Sequence, residues 1–297
     1  MLALCSPIAV VVHDAGAANI IFSWMNKTSH TFQVYAEGPA ASLWRNYFPE
    51  AYLRNSLSDA LDGAVTLVSG TGWASSLEHN ARLSAKQMGI YSIAVIDHWV
   101  NYQPRFVRNG VVCLPDEIWV TDDFAYKIAL ETFRDSTVTL IENYYLINQL
   151  LSISPPPEGN VVLYFLEPIR GLWGGAMPGE FQALEYALNN ISSYSPAGLE
   201  RFLLRPHPSE DKNKYNIFLE KYDFIKIDIS ANIAEAISQS NIVVGVESFA
   251  LTVALAAGRP TFSSIPPSAP AIRLPHTGII QIRNLVKSNT PALIRHF

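Results

Sequence analysis

The sequence predicts an α/β chain built as two doubly wound, parallel-sheet domains of similar size. Short apolar runs alternate with segments of helical period along the whole length, the pattern of repeated βαβ units. Hydrophobic residues make up 49% of the 297 and charged residues only 16%. That balance excludes disorder and calls for strands covered on both faces. Three consecutive prolines near the midpoint interrupt the alternation, which then starts again.

In the first half, strands are expected at 8–12, 31–35, 65–68, 91–96, 117–120 and 138–141. Residues 8–12 are all β-branched or alanine, a composition suited to a buried strand. Helices are expected from 15 towards 26, over 75–88 and over 122–134, the first opened by the small residues Ala15 to Ala18. Residues 152–160 read Ser-Ile-Ser-Pro-Pro-Pro-Glu-Gly-Asn. Prolines in series cannot sit inside a helix or a central strand, so this is a linker between domains 1–151 and 160–297. In the second half, strands are expected at 161–166, 202–204, 224–227, 242–244 and 261–263, with helices at 178–189, 232–238 and 248–257. Doubly wound sheets bind ligands outside the carboxyl ends of their strands. The loops at those ends, and a cleft between the domains, are therefore where chemistry is sought.

Several function classes drop out. The formal net charge of −5 and pI of 5.8 leave no electrostatic footprint for nucleic acid. Cys5 and Cys113 are far apart and form no framework, which favours a reducing, cytoplasmic setting over disulfides or a cysteine zinc site. The apolar run 2–12 is too short to span a bilayer and reads as a leading strand. No Walker A or Gly-x-Gly-x-x-Gly string occurs, and His79, His276 and His296 lack metal-ligand spacing. Asp122-Asp123 opens a helix and reads as a cap pair. No cofactor and no metal are implied.

Four loops could carry chemistry. Leu203-Leu204-Arg205-Pro206-His207-Pro208 ends a strand with a cation and an imidazole between two prolines. The prolines fix φ, so Arg205 and His207 would be aimed at phosphate oxygens with little entropy left to lose; the plainer alternative is a proline-capped surface turn. Gly245-Val246-Glu247-Ser248-Phe249 runs into a small-residue helix closed by Gly258-Arg259-Pro260. Gly245 would admit a close backbone approach. Ser248 would stand at a helix N-terminus whose unpaired N–H groups attract anions, and Glu247 could accept from a ribose; an ordinary capped helix explains the same residues. His13-Asp14-Ala15-Gly16-Ala17-Ala18-Asn19 follows the first strand, with Asp14 either a base or a cap, and His13 and Asn19 as substrate contacts. Asp97-His98-Trp99-Val100-Asn101-Tyr102-Gln103-Pro104-Arg105 follows the fourth strand. Asp97 and His98 are catalytic candidates there, while Trp99, Tyr102 and Arg105 would meet a sugar or its carboxylate unless they serve as packing anchors. The glycine-rich stretch after Glu167, with Arg170, is a further candidate for donor phosphate.

On these motifs the second half, about 160–267, resembles the C-terminal domain of GT-B glycosyltransferases, whose two Rossmann-like domains enclose a cleft. It is most similar to the bacterial sialyltransferases and Kdo transferases that use CMP-activated acidic sugars. In those families a His-Pro pair, here His207-Pro208, contacts the CMP phosphate, and hydroxyls at a later helix N-terminus, here Ser248, assist. The Glu-Ser helix with Ala-Ala-Gly-Arg-Pro equally resembles UDP-sugar transferases, in which a glutamate, here Glu247, holds the ribose. The resemblance implies a metal-independent transferase taking a CMP-linked or a UDP-linked donor, and a glycan or lipid-linked acceptor that would bring peripheral membrane contact. Departing from the family, the first half contains no Asp-Asp-Gly or Asp-Glu-Gly string, so Asp14 and Asp97 both stand as the carboxylate. A UDP-GlcNAc 2-epimerase-like enzyme and a non-catalytic nucleotide-sugar or glycan-binding module are the alternatives.

Overall fold

The computed structural model describes residues 4–168, 171, 173, 175–207, 210–211 and 213–288. The chain divides near Ile147 into two compact units. The first runs β1 (Ile8–Val12), α1 (Ala15–Met25), β2 (Phe32–Ala36), α2 (Gly38–Tyr47), α3 (Leu57–Leu61), β3 (Thr66–Ser69), α4 (Leu77–Met88) and β4 (Tyr91–Val95). A small hairpin of β5 (Val107–Arg108) and β6 (Val111–Val112) follows, then β7 (Glu117–Val120), α5 (Asp123–Thr132) and β8 (Thr137–Leu140). Apart from the hairpin, the strands form one parallel sheet in the order β2-β1-β3-β4-β7-β8.

Strand β1 is buried from end to end. Ile8, Val10 and Val12 point into a core shared with Phe22, Trp24 and Trp44 of α1 and α2. Ala9 and Val11 point the other way, towards Leu61, Leu77 and Ala81 of α3 and α4. Successive side chains face opposite sides of a sheet, so a strand with helices on both sides has no place for a polar residue.

Helix α6 (Tyr144–Ser152) leads across the division. The second unit runs β9 (Val161–Phe165), α7 (Gly179–Asn189), α8 (Ile191–Tyr194), β10 (Arg201–Arg205), α9 (Asn216–Lys221), β11 (Ile225–Ile227) and α10 (Ile233–Ser238). It ends with β12 (Ile242–Gly245), α11 (Phe249–Ala256), β13 (Thr261–Ser263), β14 (Ile280–Gln281) and α12 (Ile282–Ser288). Its strands are all parallel, in the order β11-β10-β9-β12-β13-β14. Counted within the unit, that is 3-2-1-4-5-6, the order of dinucleotide-binding sheets, whereas the first sheet has the flavodoxin-type beginning 2-1-3-4.

The α/β class expected from the sequence is the one observed, and the expected strands lie within a residue or so of their observed bounds. Helices α2, α3, α6, α8, α9 and α12, and strands β5, β6 and β14, were not expected. Helix α2 opens on Gly38-Pro39, which reads as a turn, and α6 buries none of its residues. Among the described residues no helix is long and apolar enough to cross a membrane.

The proline stretch after α6 is fastened to the second unit. Buried Arg259 donates from Nη2 to the Ser154 carbonyl at 2.6 Å and from Nε to the Ser240 carbonyl at 2.9 Å. Asn241 donates to the Pro157 carbonyl at 2.7 Å and accepts from the Val161 amide at 2.9 Å. Prolines donate no N–H, so this segment is held largely through its carbonyls, with the Ser154 amide adding a bond to Ser238 Oγ at 3.0 Å. Replacing Arg259 with Met should cost about 2–4 kcal/mol, the loss of two charge-assisted hydrogen bonds, and should open residues 153–160 to a broad-specificity protease. Urea denaturation and timed proteolysis would show both.

Candidate functional site

In a doubly wound sheet a crevice opens where the chain leaves neighbouring strands in opposite directions. In the first unit that point lies between β1, which continues to β2, and β3, which continues to β4. The loops there are His13-Asp14 and Gly70-Thr71-Gly72. Glu78, in the first turn of α4, joins them: its carboxylate accepts from the His13 amide at 2.9 Å and from the Gly72 amide at 2.6 Å. Only 1% of Glu78 is exposed. Burial raises its pKa, with the two amides and the Arg82 guanidinium opposing the shift. The same loop is gripped by guanidinium groups. Arg82 donates to the Gly70 carbonyl at 2.8 Å, Arg105 to Thr71 Oγ1 at 3.2 Å, and Arg108 to the Gly72 carbonyl.

The crevice presents the pair His13–Asp14, with Nδ1 and Oδ1 2.7 Å apart. Asp14 precedes α1 in extended conformation but does not cap it; its side chain makes no hydrogen bond to the helix amides. The capping alternative for Asp14 is therefore corrected, because its carboxylate is turned to the imidazole. Two glycines make the room. A Cβ on Gly72 would lie 1.8 Å from Asp14 Oδ2, and one on Gly38, at φ +54°, would lie 2.6 Å from His13 Nε2. Asn19 accepts from the Tyr47 hydroxyl at 3.1 Å.

Asp97 is differently occupied. Arg105, itself buried, donates to its Oδ1 at 2.9 Å, and Oδ2 lies against Gly16, where a Cβ would come within 1.9 Å. This places a carboxylate beside the first turn of α1, which carries no acid of its own. Arg105 thus meets a carboxylate of its own chain, not one of a ligand. The Trp99 indole donates to Asp122 at 2.8 Å and the Tyr102 hydroxyl to the Ala125 carbonyl at 3.3 Å, both residues being buried. They are packing anchors, and with Gln103, Ile128 and Glu131 they line a shallow depression of about 420 Å³. His98 Nδ1 accepts from the Trp99 amide at 2.9 Å. Asp122 caps α5, accepting from the Ala125 amide at 2.7 Å.

In the second unit the crevice lies between β9 and β12. Here Glu167, just past β9, sends its Oε1 to three successive amides: Val246 at 3.0 Å, Glu247 at 2.9 Å and Ser248 at 2.9 Å. Of the N–H groups expected to face a ligand at the start of α11, that of Ser248 is therefore taken by an anion of the chain itself, together with those of Val246 and Glu247 ahead of it. Burial pushes the Glu167 carboxyl up to about 7, against the pull of those amides. Glu247, expected to meet a ribose, holds Arg273 instead, accepting from its amide at 3.0 Å and its Nε at 2.9 Å. Gly245 is indeed a point of close approach, but to the Phe165 carbonyl: a Cβ would lie 3.2 Å from it. Ser248 stands just before α11 as its N-cap without a side-chain cap bond, and its buried Oγ has no hydrogen-bond partner among the described residues. Phe249 is the first residue of that helix.

Arg205, at the end of β10, gives Nη1 to Asp228 and to the Ser230 carbonyl. Its charge is thus balanced inside the unit. His207 follows two residues on, exposed to solvent; desolvation moves its pKa down from the usual imidazole value, against the pull of Glu210. Its loop is anchored by Glu210, which accepts from Lys214 and, at 2.9 Å, from the Tyr215 hydroxyl; Lys214 also donates to Glu180 of α7. Pro208 and Arg170 lie outside the described residues.

Sequence reasoning passed over Glu78 and Glu167 as functional residues. The available signal was an acid in the turn after a Gly-Thr-Gly loop and another just past a buried strand.

A carboxyl that keeps its proton to higher pH when folded makes the folded chain bind more protons than the unfolded chain. For Glu167 that window runs from 4.5 to about 7, and across it stability should fall as pH rises. Replacing Glu167 with Gln should remove that fall, on the order of 3 kcal/mol across the window, as read from chemical denaturation at a series of pH values.

No protein-family model matches the chain, and no curated protein sequence matches it. Among solved structures it is similar to the glycotransferase of kitacinnamycin, with 13% identity, 90% of this chain and 81% of that one covered, and a TM-score of 0.48. It is also similar to ADP-heptose LPS heptosyltransferase II of E. coli, with 14% identity, 96% and 98% covered, and a TM-score of 0.46. A third is the pneumococcal O-GlcNAc transferase GtfA in complex with UDP and GlcNAc, with 13% identity and a TM-score of 0.41. In that case 70% of this chain is matched, spanning 42% of the other.

Proposed function

We propose that the chain is a glycosyltransferase that moves a sugar from a nucleotide-linked donor to a hydroxyl acceptor, with a CMP-linked acidic sugar as the favoured donor. The observation that carries the reading is the His13–Asp14 pair at the crevice of the first sheet, 2.7 Å apart. A carboxylate on Nδ1 fixes the tautomer with its proton there and leaves the Nε2 lone pair as a base. Attack by a sugar or lipid-linked hydroxyl on an anomeric carbon requires such a base. His13 takes the acceptor proton in this reading, and Asp14 orients the ring and steadies its positive charge.

The leaving group needs a charge sink. His207 can donate a ring N–H to a phosphate oxygen. The stiff Pro206 turn and the Glu210–Lys214 anchor keep it in place. Support for CMP over UDP comes from the His-Pro string and from Glu247 being taken up by Arg273 rather than left for a ribose.

A thermal-shift panel of CMP, CDP, UDP, GDP and ADP on wild type and His207→Ala tests the donor. CMP should raise Tm most, and the variant should lose that rise; preference for UDP would move the donor, and no response to any nucleotide would sink the reading. With a turning-over donor and acceptor, His13→Ala should lower kcat by about 10²–10⁴. Asp14→Asn should follow it within about tenfold, since the wrong tautomer disables the same base. Gly72→Ala, which drives a methyl into Asp14, should lower kcat as well while the far-UV circular dichroism stays unchanged.

A further inference from the structure

Parallel sheets of the order 3-2-1-4-5-6 take ligands in the crevice between their first and fourth strands, outside the carboxyl ends, where turned-out backbone N–H groups attract phosphate. In the second unit those strands are β9 and β12. The N–H groups that line it between β12 and α11 are those of Val246, Glu247 and Ser248, and all three donate to one carboxylate, Glu167. That carboxylate comes from the turn after β9, the turn that in such sheets is glycine-rich so that phosphate can come close. Here the stretch opens Leu166-Glu167-Pro168, and its glycines, Gly171, Gly174 and Gly175, come after the glutamate in sequence.

We propose that Glu167 is a specificity residue, a resident anion in the phosphate seat that closes it to nucleoside diphosphate donors and leaves the unit to donors carrying one phosphate. The inference rests on the reading that this unit binds a nucleotide donor. Each backbone N–H donates once, so three amides turned to Glu167 have nothing left for a phosphate. Above about pH 7, where Glu167 is ionised, a second anion at the same point would meet like charge in a partly buried place. Nor can the loop swing aside easily. The Ser263 hydroxyl donates to the Val246 carbonyl at 2.6 Å and that of Ser264 to the Gly245 carbonyl at 3.1 Å. Gly245 already lies against the Phe165 carbonyl.

His207 belongs to a different place in the sheet. Its loop follows β10, on the opposite side of β9 from β12. The two neighbouring strand ends are tied where the Leu166 amide donates to the Arg205 carbonyl at 3.0 Å. A single phosphate met by His207 therefore does not need the amides that Glu167 occupies, whereas a further phosphate reaching for the helix would.

The test is calorimetric titration of CMP, CDP and inorganic pyrophosphate into wild type, Glu167→Ala and the conservative Glu167→Gln, each checked for folding by its thermal melt. Wild type should bind CMP, bind CDP no more tightly, and give no heat with pyrophosphate. Glu167→Ala should gain pyrophosphate binding and tighten for CDP by about tenfold or more, the worth of one or more charge-assisted hydrogen bonds, with CMP unchanged. Wild type that prefers CDP, or a folded Glu167→Ala that still ignores pyrophosphate, overturns the proposal. If CMP binds nowhere but Glu167→Ala gains pyrophosphate, the donor reading fails and the role of Glu167 stands. If the alanine variant does not fold, wild type decides through the amide resonances of Val246, Glu247 and Ser248. They should stay fixed under millimolar pyrophosphate, and movement there counts against a filled seat.

Discussion

Backbone amides at the carboxyl ends of parallel strands have no neighbouring strand to pair with, and in a covered sheet water reaches them poorly. An unpaired buried donor costs about 1–3 kcal/mol, so every loop leaving such a sheet must find acceptors. Both units answer with a glutamate. Glu78 accepts from His13 and Gly72, and Glu167 accepts from Val246, Glu247 and Ser248. The positions of His13, Asp14 and the α11 N-terminus all follow from where these two carboxylates stand. In each case the charge is held against desolvation, which raises the pKa, by the amides that pull it down.

The two crevices nevertheless end up chemically different. In the first, the glutamate comes from a helix behind the loops, and the loop residues turn their own side chains outwards as a His–Asp pair. Three guanidinium groups on the carbonyls of the Gly70-Thr71-Gly72 loop stiffen the opposite wall. In the second, the glutamate comes from the first turn itself and fills the space. Chemistry that needs a polarised side chain is thus available at the first crevice. At the second sheet the exposed His207 stands one strand away.

The fold was legible because its strands are covered on both faces, which forces runs such as Ile-Ala-Val-Val-Val that no helix or loop would need. The short helices were not legible, since α6 buries nothing and α2 begins on Gly38-Pro39, which matches a turn signal. The loops that bear polar residues were also found from sequence, because polar residues stand out where an apolar strand stops. What sequence could not give was the partner of each side chain. Asp97, Arg105, Arg205 and Glu247 all read as ligand contacts, yet each is paired with another residue of the chain: Asp97 with Arg105, Arg205 with Asp228, and Glu247 with Arg273. The partner lies 8 residues away for Arg105, 23 for Arg205 and 26 for Glu247, beyond the reach of any local pattern. Trp99 and Tyr102 gave the same trouble, since an aromatic at a strand end has equal reason to stack on a sugar or to fill a core.

The strand orders also set when each crevice can come into being. The bond from Glu78 to the His13 amide closes a loop of 65 residues, and those from Glu167 to the 246–248 amides close loops of 79 to 81. Entropy grows only slowly with such lengths, but a chain made from its N-terminus forms them in order. The first sheet reverses direction after its second strand, so its crevice can assemble as soon as α4 begins to appear. The second sheet lays down β9, β10 and β11 before β12 exists. During that interval Glu167 has left the ribosome while its acceptor role is still unfilled, and the desolvation that later weighs on it has not begun. The crevice of the second unit thus depends on a contact between residues 79 to 81 apart, in which burial of the carboxylate and its compensation by three amides are the same contact.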